Sequence, residues 1–426
     1  MKSRFLLGTL VLWCVLRGTA PAEEAPISAP RAGEAYATDL WGELVEAPAR
    51  NRNSVTALNL GVYGIPNGPA ERELLPFGAL FAWRNMEGGK TRFRGVFSGL
   101  YNDVRYNTTP AFLGGAEAVF TFENLTIPFG RPEYIEGRSI VSEELQWHYL
   151  RGGMGLGYRA ALPPGHQDNA VELALTYEPG VLLFFRGGET APSFQMPQST
   201  YEGRVHLRAR ADKIERNILE LPHQGLAAGM DLLYGHRADW RDWGGPVFGI
   251  QDGGAHKEWF AASVYAVVAG GLPFVEDERH RLIASAYGGI GVGLDRFSAF
   301  RLGGGPGGGE WEALSRPVLP GAAFEEFFPR HYGILNLEYR YQVLYFLYTH
   351  LRGSFAWVER PRFNASGVAV MQTDSMPSVT ASVTSGFVWH SQLELGTTYN
   401  FGLLRNNSGK PGYGGQAILL SWSKEF

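Results

Sequence analysis

The sequence predicts an all-β chain: a transmembrane antiparallel β-barrel of about sixteen strands, of the outer-membrane type. Three observations carry that expectation. The chain ends on an apolar ladder at every second residue, Ile418, Leu420, Trp422 and the terminal Phe426, with Lys424 as its one charged rung. Its amino terminus has the three parts of an export signal. Between the ends, 45% of the 426 residues are hydrophobic and 13% aromatic, yet they are spread by alternation and no long uncharged apolar run occurs. Hydrocarbon cannot satisfy backbone amides, so a chain that crosses lipid without apolar helices closes its strands into a cylinder.

Lys2 and Arg4 precede the apolar run Phe5 to Leu16, and Ala20-Pro21-Ala22 offers a small-residue cleavage site. The run is too short to span a bilayer, so residues 1–22 read as a signal peptide cut after Ala22. Cleavage removes Cys14, the only cysteine. The mature chain then has no disulfide, no zinc-thiolate site and no cysteine nucleophile. Residues 23–54, with many Ala, Pro and Glu, read as a periplasmic linker with one short helix near Asp39–Glu46. Residues 55–426 read as the barrel. The net charge of −4 carries no polyanion signal, so nucleic acid is not expected as a partner.

Strands are expected over 55–64, 73–85, 91–107, 114–130, 139–150, 154–163, 169–187, 199–213, 222–236, 257–273, 280–302, 331–343, 345–358, 378–390, 392–402 and 413–426. The clearest show a strict period of two, which sends one side-chain set to each face. Val171, Leu173, Leu175 and Tyr177 alternate with Glu172, Thr176 and Glu178. Tyr201, Val205 and Leu207 alternate with Glu202, Arg204, His206, Arg208 and Arg210. Leu335, Leu337 and Tyr339 alternate with Asn336, Glu338 and Arg340, and Leu393, Leu395 and Tyr399 with Gln392, Glu394 and Thr398. Helical period fits none of them. With the amino terminus in the periplasm, connections after odd-numbered strands face outward. Gly188–Gln198, Arg237–His256, Gly303–Arg330 and Arg360–Pro377 are long and fall there, whereas Asn85–Lys90, Pro164–Asp168 and Val275–Arg279 are short inward turns. Tyr63, Trp83, Tyr149, Trp240, Trp243, Trp259, Tyr345, Trp357, Trp389 and Trp422 stand near strand ends, as interfacial girdles or as loop and lumen residues.

Glycines crowd Ala284 to Gly293, and Phe300-Arg301-Leu302-Gly303-Gly304 opens the longest loop ahead of five final strands. Asn336-Leu337-Glu338-Tyr339 and Ser354-Phe355-Ala356-Trp357 follow. In these stretches, and in its carboxy-terminal ladder, the chain resembles the bacterial surface antigen superfamily of outer-membrane insertases and translocases. The resemblance covers chiefly residues 280–426. It implies a sixteen-stranded barrel whose sixth outer loop folds back inside. That loop carries an Arg-Gly-aromatic tip in the family, and this chain has none; Arg316, followed by Pro317, is the nearest candidate. The family's acidic partner position is Val358 here, so the pair is expected to be either replaced, by Arg316 with Glu338, or lost; Arg340 is a further lumen candidate. No periplasmic peptide-binding module is expected ahead of the barrel. Periplasmic or lipoprotein subunits are therefore expected partners, beside client outer-membrane or secreted proteins and the lipid and lipopolysaccharide of the bacterial outer membrane.

Ten histidines are scattered singly, none in HExxH or at ligand spacing to another. His-x-Ser and Gly-x-Ser-x-Gly are both missing, and Gly303–Gly309 lacks the Gly-Lys-Ser/Thr ending of a phosphate loop. No catalytic residue, metal or cofactor is expected. The inward cations Arg204, Arg208 and Arg210 either draw anions or anchor a loop, or are neutralised by Glu172, Glu178, Glu202 or Asp212. A lateral seam is expected between Val55–Gly64 and Gln416–Phe426, marked by Gly61, Trp422 and Phe426, with Gly61 thinning the packing. The reading is an insertase- or translocase-type barrel; a porin-like passive channel and a structural barrel are the alternatives.

Overall fold

The computed structural model describes residues 29–49, 53–68, 71–163, 169–305, 314–387, 391–407 and 410–426; the signal segment, Ala22 and Trp389 lie outside them. Sixteen strands form one closed antiparallel barrel: β1 (Ser54–Gly68), β2 (Glu71–Met86), β3 (Thr91–Phe97), β4 (Tyr101–Thr108), β5 (Glu117–Thr126), β6 (Arg138–Ala161), β7 (Ala170–Arg186), β8 (Thr200–Asp212), β9 (Pro222–Arg237), β10 (Glu258–Gly271), β11 (His280–Val292), β12 (His331–Leu344), β13 (Leu347–Phe363), β14 (Ala369–Phe387), β15 (Ser391–Asn407) and β16 (Lys410–Glu425). Each pairs with the next, and β16 closes on β1. Two short pieces, Arg131–Ile135 and Glu215–Arg216, add to the edges of β6 and β9. Ala29 and Phe426, the first and last described residues, lie at the same end of the barrel, taken as the inner end, and the long connections gather at the outer end.

Alternation explains the wall. Leu173, Leu175 and Tyr177 are exposed on the outside of β7, while Thr176 and Glu178 are buried within. Leu335 and Leu337 face out from β12, and Glu338 and Arg340 face in. The terminal ladder behaves likewise, with Ile418, Leu420, Trp422 and Phe426 all on the outer surface. A cylinder with an apolar outside and a charged inside is what hydrocarbon requires.

Several boundaries differ from expectation. The stretch 91–107 is two strands, because Ser98 Oγ donates to Tyr101 O, accepts Tyr101 N, and Gly99 takes a left-handed φ of 80°. The expected strands 139–150 and 154–163 are one 24-residue strand, Arg138–Ala161. Gly153 does not break it, since Thr121 and Glu178 from both neighbours fill the space a Cβ would need. These two differences cancel, so the count of sixteen and the facing of every loop after β7 stand. The eleventh strand ends at Val292, not at Leu302, because Gly293 turns left-handed at φ 68°. Arg360–Pro377 is mostly strand: β13 and β14 stay paired out to Phe363–Ala369, with Arg360 and Arg362 both bonded to Asp374.

The expected helix near Asp39–Glu46 is instead a hairpin, Tyr36–Leu40 with Glu43–Ala47. Trp41 and Gly42 have φ of 58° and 86°, the signature of a two-residue turn matched to strand twist. Asp39 Oδ1 accepts Gly42 N at 2.9 Å and fixes it. Ahead of the hairpin, residues 29–32 are seated in the inner mouth: Ile218 N donates to Pro30 O at 3.1 Å and Ala32 N to Arg216 O at 2.9 Å. Most of the aromatic girdle candidates prove to be interior. Tyr63, Trp83, Trp240, Trp243 and Trp259 are buried, and Trp357 and Trp422 face outward.

Leu175→Arg places a charge mid-wall on the outer face, so it should lower folding stability in lipid vesicles by about 2–4 kcal/mol in a denaturant titration. An unchanged midpoint would take that face out of contact with hydrocarbon.

Candidate functional site

From Gly293 the described parts of the sixth outer loop, residues 293–305 and 314–330, turn into the barrel. Leu302, Leu319, Ala322 and Phe327 pack on Ile334, Ala356, Val358, Met376 and Leu403, which point inward from β12 to β15. Val358, where the resembled family has a carboxylate, is thus the floor of an apolar contact. Leu302 and Phe327 exchange backbone hydrogen bonds at 3.0 and 2.9 Å, which pinches the loop's base. Tyr63 on β1 donates its hydroxyl to Ala322 O at 2.8 Å.

Ion pairs then clamp the loop to the wall. Asp295 accepts Arg237 Nη1 at 2.6 Å; Arg237 also donates to Glu202 at 2.9 Å, and Glu202 accepts Arg151 at 2.8 Å. Arg296 and Arg301 both reach Glu133, at 2.7 and 3.1 Å. Arg131 holds Glu325 at 2.6 Å, and Arg405 holds Glu326 through two bonds of 2.6 and 2.8 Å. Removing one member of such a buried pair leaves an uncompensated charge, a loss of about 3–5 kcal/mol. Above the clamp, Trp147, Phe184, Phe194, Trp240, Trp243 and Phe297 form an aromatic cap across the outer mouth, and the Arg237 guanidinium lies 4.2 Å from the Trp240 ring centre.

The expected partners Arg316 and Glu338 are not brought together. Glu338 is taken by its register partner Arg352, at 2.5 Å, and by His350, at 2.9 Å. Arg316 lies instead over the Tyr101 ring on the opposite wall, 5.9 Å from its centre. Arg340 is at the inner end, bonded to Pro222 O. The cation row on β8 is neutralised. Arg204 bonds Glu178 at 2.6 Å and Glu123 at 3.1 Å, Arg210 bonds Asp231 at 2.6 Å, and Arg208 stands opposite Asp231 in register. Glu178 was foreseen in that role, Glu123 and Asp231 were not. Glu172 serves Arg92, Arg94 and Arg159, while Asp212 serves Arg216.

The joint between β1 and β16 is the second feature. Its ladder runs from Ala57–Glu425 to Gly64–Ile418, with Phe426 N donating to Thr56 O at 2.8 Å and Trp422 opposite Leu60. Above that point the backbones separate. Pro66 has no amide to offer, and the Asn67 side chain takes over: Nδ2 donates to Gly414 O at 2.8 Å and Oδ1 accepts Gln416 N at 2.9 Å. Beside this gap is a cavity of about 350 Å³ whose lining includes Pro66, Thr397, Tyr399, Gln416 and Ile418. Gly61 does not thin the packing. The Phe77 ring from β2 lies where its Cβ would be, so glycine makes room for an aromatic.

These features define a sixteen-stranded barrel of the outer-membrane type, its lumen entered by its own sixth loop. The fold is similar to that of solved bacterial outer-membrane barrels. The crystal structure of BamA from Haemophilus ducreyi lacking POTRA domains 1-3 matches with a TM-score of 0.50 at 10% identity, over 92% of this chain and 75% of that one. CdiB from Escherichia coli covers 92% of this chain and 67% of its own at 12% identity, with a TM-score of 0.48. For CdiB from Acinetobacter baumannii the values are 93%, 66%, 11% and 0.47. The chain spans about two thirds of the length of the CdiB structures. No protein-family model matches the sequence, and no curated protein matches it.

Two predictions follow from this geometry. Burial raises the Glu133 carboxyl, but Arg301 and Arg296 outweigh it and hold it at about 2. The same balance, with Arg131 and Arg301, lowers Glu325. A carboxyl depressed below its unfolded value of about 4.3 contributes fully above that value and loses its contribution as pH falls through about 2. Tryptophan fluorescence of the outer cap should therefore be constant from pH 8 to 5 and shift between about pH 4 and 2. Glu133→Gln should show the shifted signal already at pH 7. Separately, Asn67→Ala deletes two bonds and should lower stability in micelles by about 1–3 kcal/mol, with Asn67→Asp losing about half as much.

Proposed function

We propose that the protein acts at the bacterial outer membrane in protein insertion, translocation or assembly, with the inner end facing the periplasm and separate periplasmic or lipoprotein subunits delivering its clients. The observation that carries this reading is the partial β1–β16 joint. An unpaired strand edge in hydrocarbon is costly, and the β1–β16 joint, whose ladder ends at Gly64–Ile418 and is extended by one side chain, is the joint between strands that no connecting turn links, so it can part without straining a hairpin. A parted edge offers its free amides and carbonyls to an incoming strand, which is strand addition. The lumen supports the same reading. A loop clamped by five buried arginine pairings and topped with aromatic rings fills the outer half, which is a poor arrangement for a steady open pore.

Asn59 and Ser423 face each other in register across the joint. Opposed residues of antiparallel strands stand about 4.5–5.5 Å apart at Cα, within reach of a disulfide. In the Asn59→Cys/Ser423→Cys double variant, oxidation should block the assembly or secretion of client proteins, and reductant should restore it. Full client assembly in the oxidised form would overturn the proposal, and a large, steady conductance in planar bilayers would favour a passive channel.

A further inference from the structure

The inner mouth holds a cluster of charge unconnected with the loop clamp. Glu278, in the turn before β11, accepts Ala29 N at 3.0 Å and both terminal nitrogens of Arg31 at 3.3 and 3.4 Å on one oxygen. The same oxygen stands 3.5 Å from Arg281 Nη2 and 3.8 Å from His223 Nε2. Arg281 and Arg340 are direct register partners on β11 and β12, an arrangement in which like charges repel. Glu278 therefore faces two guanidinium groups and an imidazole, with Arg340 beside Arg281 in register. Glu215, bonded to Arg31 at 3.3 Å, is partly open to solvent.

The side chains are sealed from water yet not satisfied. Arg281 is 5% exposed, Arg340 1% and His223 2%. Among the described residues Arg281 Nε and Nη2, Arg340 Nη1 and His223 Nε2 have no hydrogen-bond partner. A buried donor without an acceptor costs about 1–3 kcal/mol, more when charged. The contrast with β8 is direct, because there Glu178, Glu123 and Asp231 face Arg204, Arg208 and Arg210. Four unmet nitrogens from three strands, all able to donate and close to one another, suit a ligand that only accepts. A cation would be repelled, and an apolar group would leave the donors as they are.

We propose that this cluster is a binding site for a phosphate-type oxyanion, walled by Arg281, Arg340 and His223 and completed by Arg31 from the amino-terminal segment. Charge-assisted bonds from paired guanidinium groups favour such an oxyanion over chloride. Free phosphate and the phosphoryl group of a lipid headgroup share this chemistry. The site stands independently of any role for the β1–β16 joint.

The test uses the full chain in uncharged detergent, titrated calorimetrically with inorganic phosphate at constant ionic strength set by sodium chloride, and in a second arm with a short-chain phosphatidic acid. The expected result is saturable one-site binding in at least one arm, weakened about tenfold or more by Arg281→Gln. Arg31→Gln, which lies outside the barrel wall and cannot unfold it, should weaken binding several-fold. Binding of phosphate in the first arm assigns a free ion; binding in the second arm alone assigns a headgroup. No saturable binding in either arm, or equal binding by both variants, would overturn the site.

Discussion

Every backbone amide of a chain bathed in hydrocarbon has to be satisfied within the protein. In fifteen of the joints around this barrel, neighbouring strands meet that demand through ladders or hairpins continuous in sequence. The sixteenth joins residues from opposite ends of the chain, and there the ladder stops at Gly64–Ile418. Beyond it the Asn67 side-chain amide bonds Gly414 O and Gln416 N. The cylinder is closed, but where the first and last strands meet no connecting turn holds the two edges together.

A second demand shapes the inside. A loop drawn into a lumen gives up water on both its faces, and it persists only if its own charges are matched there. Asp295, Arg296, Arg301, Glu325 and Glu326 are each matched from the wall, and the apolar face at Val358 needs no charge at all. This solution differs from a single arginine tip meeting a single carboxylate. The load is distributed, so the loop is fixed at several points around the circumference rather than at one.

Much of the wall was legible because period-two alternation is a local property. The outward set at Val171–Tyr177 and the inward set at Arg204–Arg210 lie where a strand's two faces put them. Glycines were harder to read. Ser98-Gly99 turns the chain through a local bond to Tyr101, whereas Gly152-Gly153 lets it run on, with Thr121 and Glu178 of the neighbouring strands beside Gly153. The loop clamp was not legible at all. Arg296 and Glu133 are 163 residues apart, and nothing in either segment marks one as the partner of the other. The Arg316–Glu338 expectation failed for the same reason. Glu338 was already claimed by Arg352 directly across the strand pair, a nearer and better-placed cation.

The account stands on the joint between the first and last strands being the one that parts. Hydrogen–deuterium exchange of the protein in lipid nanodiscs, resolved to short peptides, measures it directly. Amides of β16 from Gly414 to Ala417 should exchange far faster than those at matched depth in β8 and β9. Uniform protection around the whole circumference would contradict a wall that parts between its first and last strands.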